Sequence, residues 1–290
     1  MNRRTKGEKL FALLNAVILL LALLCTLYPC IYVLFASVSD PTKVFEKVLL
    51  LYPQGINLGN YIAVFENSLI WSGYANTIFY AVVGTTASVL ITVIAAFCLS
   101  RRDLPGKNAI IMAMVFTMYF TGGMIPNYLV VRTLGLLDTR ASMILPTLMS
   151  TYNFIIVLTS FKGLPPSLEE AATIDGANEY TVLFKVLMPL LKPVISVISL
   201  YYLVAIWNNF MSALLYLSDP KKYPLQLVLR EILYQGTMQQ ETSSQIDTAT
   251  MQQETIKYAV MVVSTVPVMC VYPFIQRYFV KGIMIGAVKG

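Results

Sequence analysis

From Phe11 to about Phe35 the chain carries no charged side chain. The same holds from Asn76 to Leu99, Asn108 to Val131, Ala141 to Phe161 and Val194 to Leu217. A sixth apolar stretch, about Ile256 to Phe279, has Lys257 and Arg277 only near its ends. A helix rises about 1.5 Å per residue and bilayer hydrocarbon is about 30 Å thick, so each stretch is long enough to cross. Backbone N–H and C=O groups in hydrocarbon must pair within their own segment, which makes the helix the repeated unit. The expectation is an all-α membrane protein with six transmembrane helices. Composition agrees: 57% of residues are hydrophobic and 12% charged, against about 25% charged in soluble domains.

The first stretch is too long for a signal-peptide core and lacks a clear small-x-small cleavage site, so it reads as a retained helix, kinked at Pro29. Residues 38–75, with Pro41, Pro53, Gly55 and Gly59, read as an external loop in which Asn60 caps a short helix. Residues 101–107 form a short basic turn, and Gly122, Gly123 and Pro126 weaken the outer half of the third span. A polar loop spans roughly 218–255. Its Leu225, Val228, Leu229, Ile232 and Leu233 share one helical face, suited to the membrane interface or a neighbour, and its Gln-rich part reads as disordered. With the N-terminus inside, inner segments hold 13 Lys/Arg against 6 Asp/Glu, and outer segments 8 against 9. The positive-inside rule therefore places both termini in the cytoplasm. The net charge of +6 is explained by topology signals and anionic headgroups, with no call for nucleic acid.

What the spans lack narrows the function. No acidic or basic residue lies in the middle of any of them. Proton- and sodium-coupled transporters usually carry intramembrane carboxylates, so coupling to an ion gradient is disfavoured. No G-x-x-x-x-G-K-[ST] is present, so the chain does not bind ATP through a P-loop. Cys25, Cys30, Cys98 and Cys270 have no C-x-x-C spacing and read as small buried residues rather than a disulfide or metal set. Met112, Met114 and Met118 read as core filling. The chain is expected to hold no metal and no cofactor.

A polar island interrupts this pattern at Pro165–Pro193, PPSLEEAATIDGANEYTVLFKVLMPLLKP. Pro165 and Pro166 stop the preceding helix. Ser167 with Glu170 reads as an S-x-x-E capping box. A short helix follows through Ala171, Ala172 and Ile174, and Gly176 ends it in a left-handed turn. A second helix begins near Asn178. The plain reading is a capped connector between two spans. The functional reading is a helix–turn–helix elbow on the cytoplasmic face, acidic at its tip. In the fifth span Trp207-Asn208-Asn209-Phe210 sets amides inside an apolar helix. Such amides either bond to neighbouring helices or line a wet cavity, where Trp offers a flat face to a sugar ring and Asn bonds its hydroxyls. Tyr152 and Asn153 in the fourth span are a weaker pair of the same kind.

Glu170-Ala171-Ala172, Asp175-Gly176-Ala177, Phe184, Pro189 and Pro193 resemble the EAA loop of ABC importer permeases. W-N-N-F in the fifth span and the closing G-A-V-K-G resemble the carbohydrate branch, in particular the second permease subunit of maltose-type systems. YPLQLVLREIL and YPFIQRYFVKGIMIGAVKG look most like the oligosaccharide subgroup named LplC/YtcP. The resemblance implies a type I importer permease (MetI-like) fold. It divides the chain into an N-terminal part, 1–75, a permease core, 76–280, with coupling loop 165–193, and a tail, 281–290. It further implies that the loop docks into a cytoplasmic ATPase dimer, which binds the ATP and Mg. By the same resemblance the tail, with Lys289 and Gly290, is expected to insert between the ATPase subunits. The remaining implied partners are a homologous permease, an extracytoplasmic sugar-binding protein and an oligosaccharide substrate. No bond is made or broken in such a chain, so no catalytic residue is expected.

Overall fold

The computed structural model describes residues 6–46, 50–101, 103–242, 255–270 and 273, and every extended element among them is a helix. In order these are α1 (Lys6–Ser37), α2 (Pro41–Glu46), α3 (Gly59–Glu66), α4 (Ser68–Ser100), α5 (Lys107–Tyr119) and α6 (Met124–Thr133). Then come α7 (Ala141–Ile144), α8 (Thr151–Lys162), α9 (Ser167–Ile174), α10 (Glu179–Thr181), a π-helical stretch Val182–Leu187, and α11 (Met188–Leu190). The series closes with α12 (Lys192–Trp207), α13 (Met211–Tyr216), α14 (Leu225–Thr242) and α15 (Thr255–Cys270). A lone antiparallel bridge joins Ser39 to Ile56.

Among the described residues only α1 and α4 are each long and apolar enough to cross a membrane unaided. The third expected span is broken, with 118° between α5 and α6. Gly123, at φ +86°, and Gly122 sit in that break, so the glycines end the helix rather than merely weaken it. The fourth is bent by 49° between α7, with its short 3-10 extension, and α8. The expected fifth span also divides: α12 stops at Trp207, and α13 starts after Asn208-Asn209-Phe210. Both Asn side chains bond locally at this break. Asn208 Nδ2 donates to Val204 O at 2.9 Å, and Asn209 Oδ1 accepts from Ser212 N at 3.1 Å.

The chain divides into two compact units, Met1–Ser68 with Leu229–Val266 and Leu69–Val228 with Pro267–Gly290. In the first, Ala36, Val44 and Leu50 form a small core against Tyr32, Phe35 and Tyr258. The α3 helix forms where expected, but Asn60 does not cap it. The cap position is Leu58, and Asn57 Oδ1 accepts from Gly59 N at 2.8 Å. Asn60 is buried instead, donating to Ser37 O at 3.5 Å and accepting from Thr255 Oγ1 at 3.2 Å. In the second unit one core joins Val93, Ala96 and Phe97 of α4 to Phe154, Val157 and Phe161 of α8, and to Val182, Leu183, Leu187, Leu191 and Ile198.

Two readings of apolar residues, the buried cysteines and the core-filling methionines, need correction. All four cysteines are exposed, as are Met112 and Met118; only Met114 packs partly against the core. A chain with a membrane surface exposes apolar side chains as readily as it buries them, so apolarity alone does not mark its interior. The 225–233 face packs on a neighbour: Leu225 and Val228 are buried, and a Cβ on Gly73 of α4 would lie 3.1 Å from the Leu225 backbone. Finally, α14 continues to Thr242, so the first Gln-rich residues are helical, and 243–254 lie outside the described residues.

The early part of α4 holds the 218–225 segment through polar bonds. Asn76 Nδ2 donates to Lys221 O at 2.7 Å and Tyr223 O at 3.1 Å, Tyr80 Oη donates to Lys222 O at 2.8 Å, and Leu225 N donates to Thr77 Oγ1 at 2.8 Å. Asp138, in a left-handed turn at φ +53°, secures the other side. Its carboxylate accepts from Lys222 Nζ at 2.9 Å and from the N–H groups of Ser218 and Asp219, each at 3.0 Å. The Lys222 hydrogen bond and then those two N–H groups hold the carboxyl at about 2, below its ordinary 3.8. A depressed carboxyl stabilises the folded form when ionised; that contribution is full above about pH 4 and is lost as pH falls through the folded value. Asp138→Asn is therefore expected to lower the thermal midpoint of the detergent-solubilised protein at neutral pH. The gap to wild type is expected to close as pH falls from about 4 towards 2; a gap constant across that range removes charge from this account.

Candidate functional site

The elbow is built as a buried base and an exposed tip. Pro166, not Ser167, occupies the N-cap of α9, and no side chain caps it. Proline already has helical φ, here −57°, so the helix starts one residue earlier and Ser167 lies inside it. The Pro166 carbonyl accepts from Glu169 N and Glu170 N at 3.0 and 3.1 Å. At the other end Gly176 adopts φ +78°. Gly176 N donates to Thr173 O at 3.0 Å and Ala177 N to Ala172 O at 2.9 Å, the paired bonds of a Schellman cap. Asn178 starts the next helix as expected, its Oδ1 accepting from Thr181 N at 2.9 Å.

The eight elbow residues singled out in the sequence separate into two groups. Ala172 and Ala177 are half-buried against the core. Glu170, Ala171, Asp175, Gly176, Phe184 and Pro189 are exposed. Ile174 and Tyr180, 86% and 76% exposed, add apolar surface to the tip. The small residues thus serve both purposes: two alanines let α9 close on the core, and the rest keep the tip low.

The sequence reading overlooked Arg101. Its guanidinium stacks over the Phe97 ring at 4.6 Å and forks, Nη1 to Glu169 Oε2 at 3.0 Å and Nη2 to Glu179 Oε2. Glu169 lies in α9 and Glu179 in α10, so one side chain holds both arms of the elbow. The charges were visible in sequence, but nothing in their spacing links position 101 to 169 and 179.

A second constellation surrounds a cavity of about 520 Å³ between α8 and α12. Tyr152, Asn153 and Asn209 line it, with Thr147, Ser150, Tyr201 and Tyr202. Trp207 and Asn208 do not. Trp207 is buried, and its Nε1 has no hydrogen-bond partner among the described residues. Asn208 is exposed and satisfies its amide on its own helix. The aromatic wall is therefore Tyr152 and Tyr201, ring centroids 6.3 Å apart. Tyr202 Oη ties the cavity together, accepting from Ser150 N at 2.9 Å and sharing a hydrogen bond with Thr92 Oγ1 at 2.7 Å. Among the described residues no charged side chain lines it. The arrangement offers aromatic faces, hydroxyls and amides, the groups that stack on and bond a hydroxylated ring. No group of metal-ligating residues occurs among the described residues. Lys289 and Gly290 lie outside them.

Gly176 carries the elbow's most testable local feature. A Cβ there would meet nothing within 4 Å, so any cost of substitution is conformational. A left-handed backbone costs L-residues roughly 1–2 kcal/mol, with Asn the tolerated exception. Gly176→Ala is expected to reduce hydrogen-exchange protection at the Ala177 amide, and Gly176→Asn to reduce it less. Wild-type protection in Gly176→Ala would overturn the assignment.

Residues 106–285 match the family described as "Binding-protein-dependent transport system inner membrane component". The chain is 43% identical over 279 residues to the polygalacturonan/rhamnogalacturonan transport system permease protein YtcP of Bacillus subtilis (strain 168), covering 96% of this chain and 97% of that one. It is 38% identical over 286 residues to Protein LplC of the same organism, covering 99% and 97%. Among solved structures it resembles a bacterial ABC transporter involved in the import of the acidic polysaccharide alginate, with TM-score 0.85 and 34% identity over 96% of this chain and 100% of that one.

Proposed function

Because the chain belongs to the inner membrane components of binding-protein-dependent transport systems, we propose that it is one permease subunit of an ATP-driven sugar importer, forming half of the translocation path. The sugar is an oligosaccharide, delivered by an extracytoplasmic binding protein. The chain sits in the plasma membrane with six crossings, three of them broken, and both termini in the cytoplasm. A second, homologous permease completes the path. A separate ATPase dimer binds ATP and Mg and hydrolyses the nucleotide.

The observation that carries this reading is the elbow. Its exposed Glu170, Asp175, Gly176 and Phe184 stand on a base whose Leu187 is fully buried. Such a projection transmits force: a partner gripping the tip displaces the core beneath it, because packed interiors yield little. Glu170 and Asp175 offer charge-assisted bonds to basic groups on the ATPase. The cavity beside α8 and α12 is the stretch of path in which this subunit meets sugar. Tyr152 and Tyr201 supply stacking surface, and Asn153 and Asn209 supply amides. Its lining is neutral, so this wall contacts hydroxyl faces; any carboxylate on the substrate points elsewhere.

Two measurements test the reading. Purification from native membranes is expected to retain an ATPase subunit and a second permease; their absence sinks the importer assignment. Asn209→Ala is expected to slow sugar uptake roughly 2- to 10-fold at normal complex yield, the equivalent of one neutral hydrogen bond. Asn208→Ala, whose amide serves its own helix, is expected to transport normally. Equal effects of the two substitutions would remove the cavity from the path.

A further inference from the structure

The helix α4 is 33 residues long and unbroken, about 50 Å from end to end. The other long apolar segments of its unit are interrupted: α5–α6 bends by 118°, α7–α8 by 49°, and the elbow meets α12 at 86°. A broken helix absorbs a push at its break, whereas a continuous hydrogen-bonded helix passes it on. Polar bonds tie α4 to other segments in its early part and just after its last residue. At one end Asn76, Thr77 and Tyr80 hold the backbone of 221–225. At the other, Arg101, immediately after the last helical residue, holds both arms of the elbow. Between these two sets of bonds, Thr92 meets Tyr202.

The Arg101 clamp is poorly placed to matter for stability. Its side chain is 28% exposed, Glu169 31% and Glu179 68%, and exposed ion pairs contribute little. Its geometry is specific all the same. A guanidinium fork fixes two carboxylates in one plane, and stacking on Phe97 fixes that plane against α4. A lysine supplies the charge without the fork. Without Arg101, the elbow remains attached to α4, among the described residues, through the apolar contacts of its base, which slide more easily than a directional bond.

We propose that Arg101 is a positioning residue that locks the elbow to α4, making that helix the rod that carries elbow displacement to the 218–225 segment at its far end. This rests on the importer reading above, since the displacement is that of an elbow gripped by an ATPase. The fork binds α9 and α10 to one point, so the elbow moves as a single body. The stack on Phe97 turns that movement into movement of α4. The polar bonds of Asn76, Thr77 and Tyr80 deliver it to the opposite face of the unit.

The test uses the assembled complex with Cys25, Cys30, Cys98 and Cys270 replaced. Nitroxide labels are placed at Ser167 on the elbow and Ile94 on α4, both exposed, and the complex is compared nucleotide-free and after trapping with ATP and vanadate. Wild type is expected to give one narrow distance, unchanged by trapping. In Arg101→Ala the distance is expected to broaden and shift on trapping, while ATP hydrolysis continues and the thermal midpoint stays near wild type. Arg101→Lys is expected to fall between the two. Reversal of all three charges (Arg101→Glu, Glu169→Arg, Glu179→Arg) is expected to narrow the distance again. A narrow, trapping-independent distance in Arg101→Ala overturns the proposal while leaving the importer reading intact. A wild-type preparation that retains no ATPase overturns both.

Discussion

Val182, Leu183 and Leu187 of the elbow share one apolar core with Phe97 of α4 and with Phe154, Val157 and Phe161 of α8. The rest of the second unit depends on this packing. It orients α9, because Ala172 and Ala177 close against the same core. It fixes where α12 begins, because Leu191 and Ile198 continue it. It brings Arg101 to Glu169 and Glu179, which are far apart in sequence. A fully buried side chain contributes about 1.5–3 kcal/mol, so three from the elbow outweigh the exposed ion pairs around Arg101. The apolar base supplies the hold, and the charged clamp supplies the direction.

The same division recurs at the opposite end of α4. Gly73 lets the Leu225 backbone approach within van der Waals contact, and the side chains of Asn76, Thr77 and Tyr80 then satisfy the main-chain groups that this approach strips of water. Buried main-chain polar groups must find partners, and here an otherwise apolar helix provides them. These three polar residues of α4 are therefore structural. This distinguishes them from those at the cavity, where Tyr152 and Tyr201 leave much of their surface open.

Broken helices give the fold its working parts. A break frees main-chain groups, and in an apolar setting those groups are tolerated where protein or water satisfies them. The break at Asn208–Phe210 lies beside the cavity, and Asn209 both caps the next turn and faces the opening. The two asparagines looked equivalent in sequence, as neighbours in a continuous helix. Once the helix stops, their roles part: Asn208 bonds a carbonyl of its own helix, Asn209 takes the Ser212 N–H, and only Asn209 is left at the cavity wall.

The sequence by itself determined the class, the positions of the long apolar segments and the elbow with its glycine turn. These follow from local rules: apolar run length, proline ending a helix and glycine in a left-handed cap. It also indicated the family, because the elbow motif is contiguous. Tertiary structure decided what local rules do not encode. It buried Asn60 and exposed the cysteines. It removed Trp207 and Asn208 from the cavity and set Tyr201 in it, and it joined Arg101 to Glu169 and Glu179. Each depends on which face of a helix meets a neighbour. In a chain whose outside is as apolar as its inside, hydrophobicity does not reveal that face, and only packing settles it.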